Sequence, residues 1–440
     1  MLRTRNSFIR TQSAILSAIL AGATALPGAS DPEGDSLIEI WKASSSAQPR
    51  YLAGTLRVEA EALEARALAR EEWPSLTVEA GGDYGQRARP GEEREQGIAG
   101  RGEILAQVNW NLMESGRSAR ERALNLRREG LEQANAAFDD AFRTEVARSY
   151  VNASLALERR KLLRAARIEF SEMAKLVLHR FDEGVEPGAT RDQLEQREAA
   201  WAARWREADT DAETARLQLA LLAGREEVRP LPVQLLNLPE EAPTLIDRLP
   251  PALAALELQA KEGRAQAEAI ALTNRWRLNA IGQTGPYFSR AYDGRIEEEY
   301  YAGLRFTWSP DAAGVQRTRA RAEMRRARSL EAEKTALQRD YAQSSEAMRR
   351  TFRELSRQEE EWTESLTSAQ AAERAAQLRW REGVGTWITL LEERNRLLEV
   401  RLGELAWRER LARTIIDYAE STGQVHELPA WIGQTPGSSL

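Results

Sequence analysis

Arg180-Phe181-Asp182-Glu183-Gly184-Val185 returns 199 residues later as Arg379-Trp380-Arg381-Glu382-Gly383-Val384, and each copy closes a very long helical pattern. Ahead of each copy stand two short alternating segments framed by tryptophan: Trp73 and Trp110 before the first, Trp276 and Trp308 before the second. A long-period repeat of strand, strand, long helix and helix describes an elongated, duplicated object rather than a compact enzyme.

The long helical runs extend from about Ser118 to Arg180 and from Val315 to Arg381, with Gly116 and Gly314 at matching places just before them and no internal proline. At about 1.5 Å per residue each run reaches about 95 to 100 Å. Shorter helices, Ala189 to Ala223 and Thr386 to Ser421, return in the opposite direction. Apolar residues recur seven apart in Leu124, Leu131 and Phe138, in Leu355 and Trp362, and in Leu391, Leu398 and Leu405, with a parallel stripe at Leu390 and Leu397. Seven-residue spacing is a coiled-coil seam, and a second stripe requires neighbours on two sides, so the helices are expected to form a wall.

Period two governs the segments upstream. Leu76, Val78 and Ala80 alternate with Thr77, Glu79 and Gly81; Ile104, Ala106, Val108 and Trp110 oppose Glu103, Gln107 and Asn109. Tyr300, Ala302, Leu304, Phe306 and Trp308 share one face, and Leu278 to Phe288 alternates less cleanly. Gln86 to Gln96 reads as an exposed polar loop, and Asp293-Gly294 as a hairpin turn. The polar face carries Glu79, Asp83, Glu103, Gln107, Asn109, Arg305 and Thr307. Trp73, Trp110, Trp276 and Trp308 all fall at the strand ends next to the helices, where a membrane interface is expected. An open four-stranded sheet in lipid would leave edge groups unsatisfied at a cost of several kcal/mol each, so closure must come from further copies. Two chains give eight strands and a filled barrel; three give twelve and room for a lumen.

Composition supports long helices. Charged residues make up 30% of the 440 residues, with 68 acidic and 62 basic side chains interspersed and a net charge of -6, which offers nucleic acid no footprint. The charge-dense stretch Arg317 to Arg328 reads as a solvated helix face. Arg3, Arg5 and Arg10 precede an apolar run from Ala14 to Leu26 and then small residues, the pattern of a secretory signal peptide cleaved after Ala25 or nearer Ser30. That run is too short to span a bilayer comfortably, and no later stretch reaches about 18 uncharged apolar residues, so the mature chain would meet a membrane as strands. Cysteine is absent, which excludes disulfides, thiolate metal sites, cysteine nucleophiles and a lipid-modified N-terminal cysteine. His179 and His426 are the only histidines and lie far apart, leaving metal binding and histidine-based catalysis without partners. Gly81-Gly82 sits in a strand and lacks a phosphate-loop context. Neither enzyme activity nor a cofactor is expected.

The chain divides into a signal peptide (1–30), a first repeat (31–225), a connector (226–251), a second repeat (252–423) and a loop-like tail (424–440). Within the repeats the β-hairpins fall at about 73–112 and 276–308, and the helical hairpins at about 116–223 and 314–421. Pro230, Pro232, Pro239, Pro243, Pro250 and Pro251 mark the connector as irregular.

The signal peptide, the duplicated β-hairpin plus long helical hairpin, and the twin Arg-aromatic-x-x-Gly-Val turns together resemble the outer-membrane efflux proteins, the TolC-like family, over nearly all of the mature chain. The resemblance implies a mainly α homotrimer with membrane β-hairpins. Its twelve-stranded β-barrel would sit in the outer membrane of a Gram-negative bacterium and continue as an α-helical periplasmic barrel. It also implies a non-catalytic exit duct for a tripartite efflux pump or type I secretion system, working with a periplasmic adaptor (membrane fusion) protein and an inner-membrane pump of RND or ABC type. By the same resemblance Arg180, Phe181, Gly184 and Val185, with Arg379, Trp380, Gly383 and Val384, become the adaptor-docking tips. Family members carry gate acids just beyond the second turn in a pattern resembling Asp-x-Leu-Asp. This chain departs from it, with Thr389-Leu390-Leu391-Glu392-Glu393 there and Asp192-Gln193-Leu194-Glu195 in the first half. Glu392 is therefore the leading gate candidate, followed by Glu393, Asp192 and Glu195. The competing reading is a periplasmic coiled-coil adaptor or structural protein whose strands form a small soluble domain.

Overall fold

The structure, a computed structural model, describes residues 34–71, 73–86, 98–183, 190–233, 250–273, 275–289, 296–311 and 313–432. The expected signal peptide, the 87–96 loop, the Asp293-Gly294 turn, Gly184, Val185 and most of the connector lie outside these residues, as do the side chains of Asp83 and Glu103.

Each half begins with a helix that proline starts. After α1 (Leu37–Ala47), capped by a reciprocal Ser36 and Glu39 box, come α2 (Pro49–Arg70) and its counterpart α5 (Pro251–Leu272), both 22 residues long. Proline is well placed in a first turn, because the missing N–H has no helical acceptor there and φ is already set. The sequence pattern is helical from about Leu52 to Arg70, three residues short of the start of α2, and shows no helix before the second hairpin. Pro251 looked like the end of an irregular connector, whereas it opens a helix.

The four strands β1 (Ser75–Gln86), β2 (Ile98–Glu114), β3 (Trp276–Ser289) and β4 (Ile296–Trp308) form one antiparallel sheet in the order β1-β2-β3-β4. Pairing of β2 with β3 joins the two halves. The register aligns the alternation of every strand: Leu76 faces Val108, which faces Gly282, which faces Ala302. Trp110 is opposite Ala280 and then Leu304, and Trp276 is opposite Trp308. Four separate apolar rows therefore merge into one face. Pairing is irregular between Asn111 and Met113, which leaves Leu112 as an extra residue. This bulge sets Glu114 opposite Arg277 on the polar face, where strict alternation would have turned it to the apolar side. Gly285 is required by close approach, since a Cβ there would lie 1.9 Å from the carbonyl oxygen of Ile104.

Beyond the sheet run α3 (Arg117–Asp182, 66 residues) with its return α4 (Thr190–Ala223), and α6 (Val315–Arg381, 67 residues) with its return α7 (Trp387–Thr422). Gly116, at φ +84°, turns the chain from β2 into α3 in a left-handed conformation that a side chain would strain. Of the seven-spaced residues, Leu355, Leu390, Leu391 and Leu398 are buried, while Leu124, Leu131, Phe138, Trp362, Leu397 and Leu405 are only half-buried within one chain.

Apolar packing concentrates at two levels along these helices. The first ties Ile40 and Trp41 of α1 to Val146 and Tyr150 of α3 and to Ile415 and Ile416 of α7. Here the connector lies against α3: Val228 and Val233 are buried, and Ser154 and the Tyr150 hydroxyl donate hydrogen bonds to the carbonyl of Leu231 at 3.0 and 3.2 Å. Burial pushes the Tyr150 hydroxyl up to about 12. The stretch expected to be a loop-like tail after Gly423 is helical at Val425–Glu427 and in α8 (Leu428–Ile432), and its Val425, Leu428, Trp431 and Ile432 are buried in this same core. The second core lies at the far end of the helical hairpins and includes Phe170, Val177, Leu194, Trp201, Trp380, Trp387 and Leu391.

Candidate functional site

The far ends of α3 and α6 meet. In α6, Glu382 donates its N–H to the Leu378 carbonyl at 3.0 Å, and Gly383, Val384 and Gly385 bond back to Trp380 and Arg379 at 3.0 to 3.2 Å. Gly383 has φ +76°, so its lack of a side chain lets the helix stop and turn at once. Thr386 then caps α7 by accepting the N–H of Thr389 at 3.2 Å. At the first tip the corresponding terminal bond runs from Glu183 N–H to His179 at 3.1 Å.

Arg180 from the first tip places its guanidinium 4.5 Å from the ring centroid of Trp380 in the second, and its Nη1 donates to the Trp380 carbonyl at 3.5 Å. Trp380 is itself buried in the tip core beside Val177 and Trp387. The ends of α3 and α6 are thus joined by a cation stacked on a ring. The sequence carried both residues but not their contact. The signal was the second copy's Trp in place of Phe, the better ring for a cation. Around this junction Val384, Leu176 and Leu378 are exposed, with Val384 at 79%. Phe181 is half-buried and Arg379 exposed.

Of the acidic gate candidates, Glu392, Asp192 and Glu195 are exposed, and Arg191 comes within 4.0 Å of Glu195. Glu393 is half-buried, with Oε2 shielded and without a hydrogen-bond partner. Glu373 and Arg394 pair across α6 and α7 at 3.0 Å just behind it. The four acids are therefore not gathered into a cluster within one chain. Among the described residues no group of three or more His, Cys, Asp or Glu could hold a metal ion.

At the opposite end, the apolar face of the sheet is open. Leu76, Val78, Ile104, Leu304, Phe306 and Tyr300 are more than half exposed, a contiguous apolar surface of a size that marks an interaction site. Trp73, Trp110, Trp276 and Trp308 remain exposed along its helix-side border. Below them Glu114, whose side chain is 4% exposed, accepts from Arg120 at 2.6 Å and Arg277 at 3.0 Å, locking strand to helix.

The sequence matches no family model and is similar to no curated protein. Solved structures do match. The outer-membrane channel OprN superposes with a TM-score of 0.75 at 20% identity, over 88% of this chain and 90% of that one. The fold is that of the outer-membrane efflux channels. The Campylobacter jejuni CmeC outer membrane channel matches at 0.75 and 14% identity over 95% of this chain and 93% of its own. The open-state Neisseria gonorrhoeae MtrE outer membrane channel matches at 0.69 and 16% over 91% and 93%. This channel fold accounts for the duplicated hairpins and places the stacked tips and the tryptophan border at opposite ends of the long helices.

Proposed function

We propose that the chain is the outer-membrane exit duct of a tripartite efflux pump or type I secretion system, a passive conduit rather than an enzyme. One observation carries the reading: the strand register joins four apolar rows into one exposed, tryptophan-bordered face, and the helices continue from it for about 100 Å. Such a face is stable in lipid, and β1 and β4 each offer an outer edge to another copy. Three copies close twelve strands around a lumen, with α3, α4, α6 and α7 as the wall of a periplasmic tunnel. The half-buried seven-spaced residues support this, because they await neighbours. At the far end, the exposed Val384, Leu176 and Leu378 around the Arg180 and Trp380 junction form the surface for a periplasmic adaptor, which would link the duct to an inner-membrane pump of RND or ABC type.

The adaptor reading requires the strands to form a soluble domain, which would have to cover this apolar face. Expression followed by membrane fractionation and planar-bilayer recording tests the duct. Detergent-dependent extraction and discrete conductance steps are expected. A protein that stays in solution without detergent and conducts nothing would overturn the proposal.

A further inference from the structure

The start of α6 carries a charge pattern that the duct itself does not use. Arg317, Arg319, Arg321, Arg325 and Arg328 are exposed, and among the described residues none of them forms an ion pair; Arg326 pairs with Glu323. Asp311, which accepts the Arg317 backbone N–H at 3.0 Å, is the acid that acts on Arg317 here, and what sets the group apart is its position. Trp308 ends β4 at the tryptophan border, and α6 begins seven residues later at Val315. At about 1.5 Å per residue Arg317, Arg319 and Arg321 lie about 3, 6 and 9 Å along the helix, whereas Arg325 and Arg328 lie about 15 and 20 Å along it. The headgroup layer is about 5 to 8 Å thick beyond the hydrocarbon, so the first three, nearest the tryptophan border, are the ones lipid phosphates would reach, and the last two lie further from it. Arg66 and Arg70 at the end of α2, and Arg275 just before β3, are exposed at the same level.

We propose that Arg317, Arg319 and Arg321 bind the headgroups of anionic phospholipids in the inner leaflet of the outer membrane. Resting on the outer-membrane reading above, this site adds a lipid ligand to the duct. Arginine suits the task because its planar fork donates two parallel hydrogen bonds to a phosphate and stays charged. Arg319 and Arg321 are about 200° apart around the helix, so one of them faces the bilayer side however the wall is turned. Alanines and Gly263 seat α6 on α5: the Cβ of Ala327 lies 3.1 Å from where a Gly263 Cβ would be, which keeps the arginine flanks clear of that contact.

The internal control is two arginines further down the same helix. The full-length protein, extracted in mild detergent, is titrated with phosphatidylglycerol or phosphatidylethanolamine of matched acyl chains, and bound lipids are counted by native mass spectrometry. Wild type should prefer phosphatidylglycerol, and the preference should fall as salt is raised from about 50 to about 500 mM. R319Q/R321Q removes one outward-facing arginine whichever way the wall is turned and should lose about fivefold of that preference, while R325Q/R328Q should change it less than about twofold. Equal retention of the two lipids by wild type, or equal losses from the two pairs, would overturn the proposal. So would an R319Q/R321Q variant whose assembly weakens with its lipid ratio unchanged, since the arginines would then pair with carboxylates of a neighbouring copy. Should R319Q/R321Q fail to assemble at all, the salt dependence of wild type decides alone. Failure of the duct reading looks different: the protein would stay soluble without detergent and retain neither lipid.

Discussion

Removing the Arg180 side chain should loosen the junction between the two tips without touching the distant sheet. The guanidinium sits 4.5 Å from the Trp380 ring centroid, and the ring is buried while Arg180 is half-exposed. A cation over tryptophan is worth about 0.5 to 1 kcal/mol at exposed sites and about 2 when desolvated, so this intermediate case contributes about 1 kcal/mol. The accompanying bond to the Trp380 carbonyl, at 3.5 Å, lies at the limit of hydrogen bonding and adds little. One kcal/mol is about a fivefold change in the local opening equilibrium. The chain has no cysteine, so a single A376C reporter, placed at a buried alanine in the tip core, reads that opening directly through its maleimide labelling rate. R180A should raise the rate about fivefold, and R180K, which keeps the charge but loses the planar stack, should fall between. In a W380L background the effect of R180A should shrink to a small residue, because the pair term is already gone. Unchanged labelling in R180A, or an equal rise in the W380L background, would show that the contact does not hold the tips.

An arginine on the lipid face should be costly where the membrane is deepest. With strands tilted by about 40°, half of an apolar band of about 25 Å is about five residues above Trp110, which puts Ile104 near the midplane. Ile104→Arg should cost about 2 to 4 kcal/mol in outer-membrane unfolding titrations, Val108→Arg less because it lies near the border, and Leu105→Arg, on the other face, least. Glu114→Ala removes the carboxylate that joins Arg120 to Arg277, whose side chains stay 32% and 43% exposed, and should lower stability by about 1 to 3 kcal/mol, seen as heat-induced loss of assembly. Gly383→Val meets nothing within 4 Å but must adopt φ +76°, so it should cost about 1 to 3 kcal/mol at the tip while protease protection of the sheet stays unchanged. Glu257 is held down to about 2 by hydrogen bonds from Lys261 and Lys334, the second of which ties α5 to α6. Its folded value is depressed, so its contribution is full above about pH 4.5 and fades as pH falls toward 2. For so exposed a pair that contribution is at most about 1 kcal/mol, visible as a smaller acid-induced loss of stability in Glu257→Gln.

What the sequence made legible was whatever had a period. The seven-residue spacing of Leu391 and Leu398 and the twofold alternation of Tyr300 to Trp308 announced their elements, because a repeated apolar side is the direct imprint of a buried or lipid-facing surface. The repeat also marked where α3 and α6 end. Helix α5 was missed because Pro250-Pro251 reads as irregular until the second proline is seen to occupy a first turn. The helix after Gly423 was missed because five residues are too few to show a period, and its Leu428, Trp431 and Ile432 are fixed by the core they enter. The bulge that turns Glu114 inward breaks alternation by one residue, and only the partner strand shows where. Arg180 and Trp380 are 200 positions apart, and nothing local says that they touch.

The most direct test is the mass of the protein extracted from outer membranes in mild detergent, measured under native conditions. Three chains in one particle, resistant to dilution and with strand content retained, is the expected result, because β1 and β4 are the two edges of the sheet and in lipid another copy would have to pair them. A stable single chain that keeps its strands in detergent would contradict the closed barrel, and with it the duct.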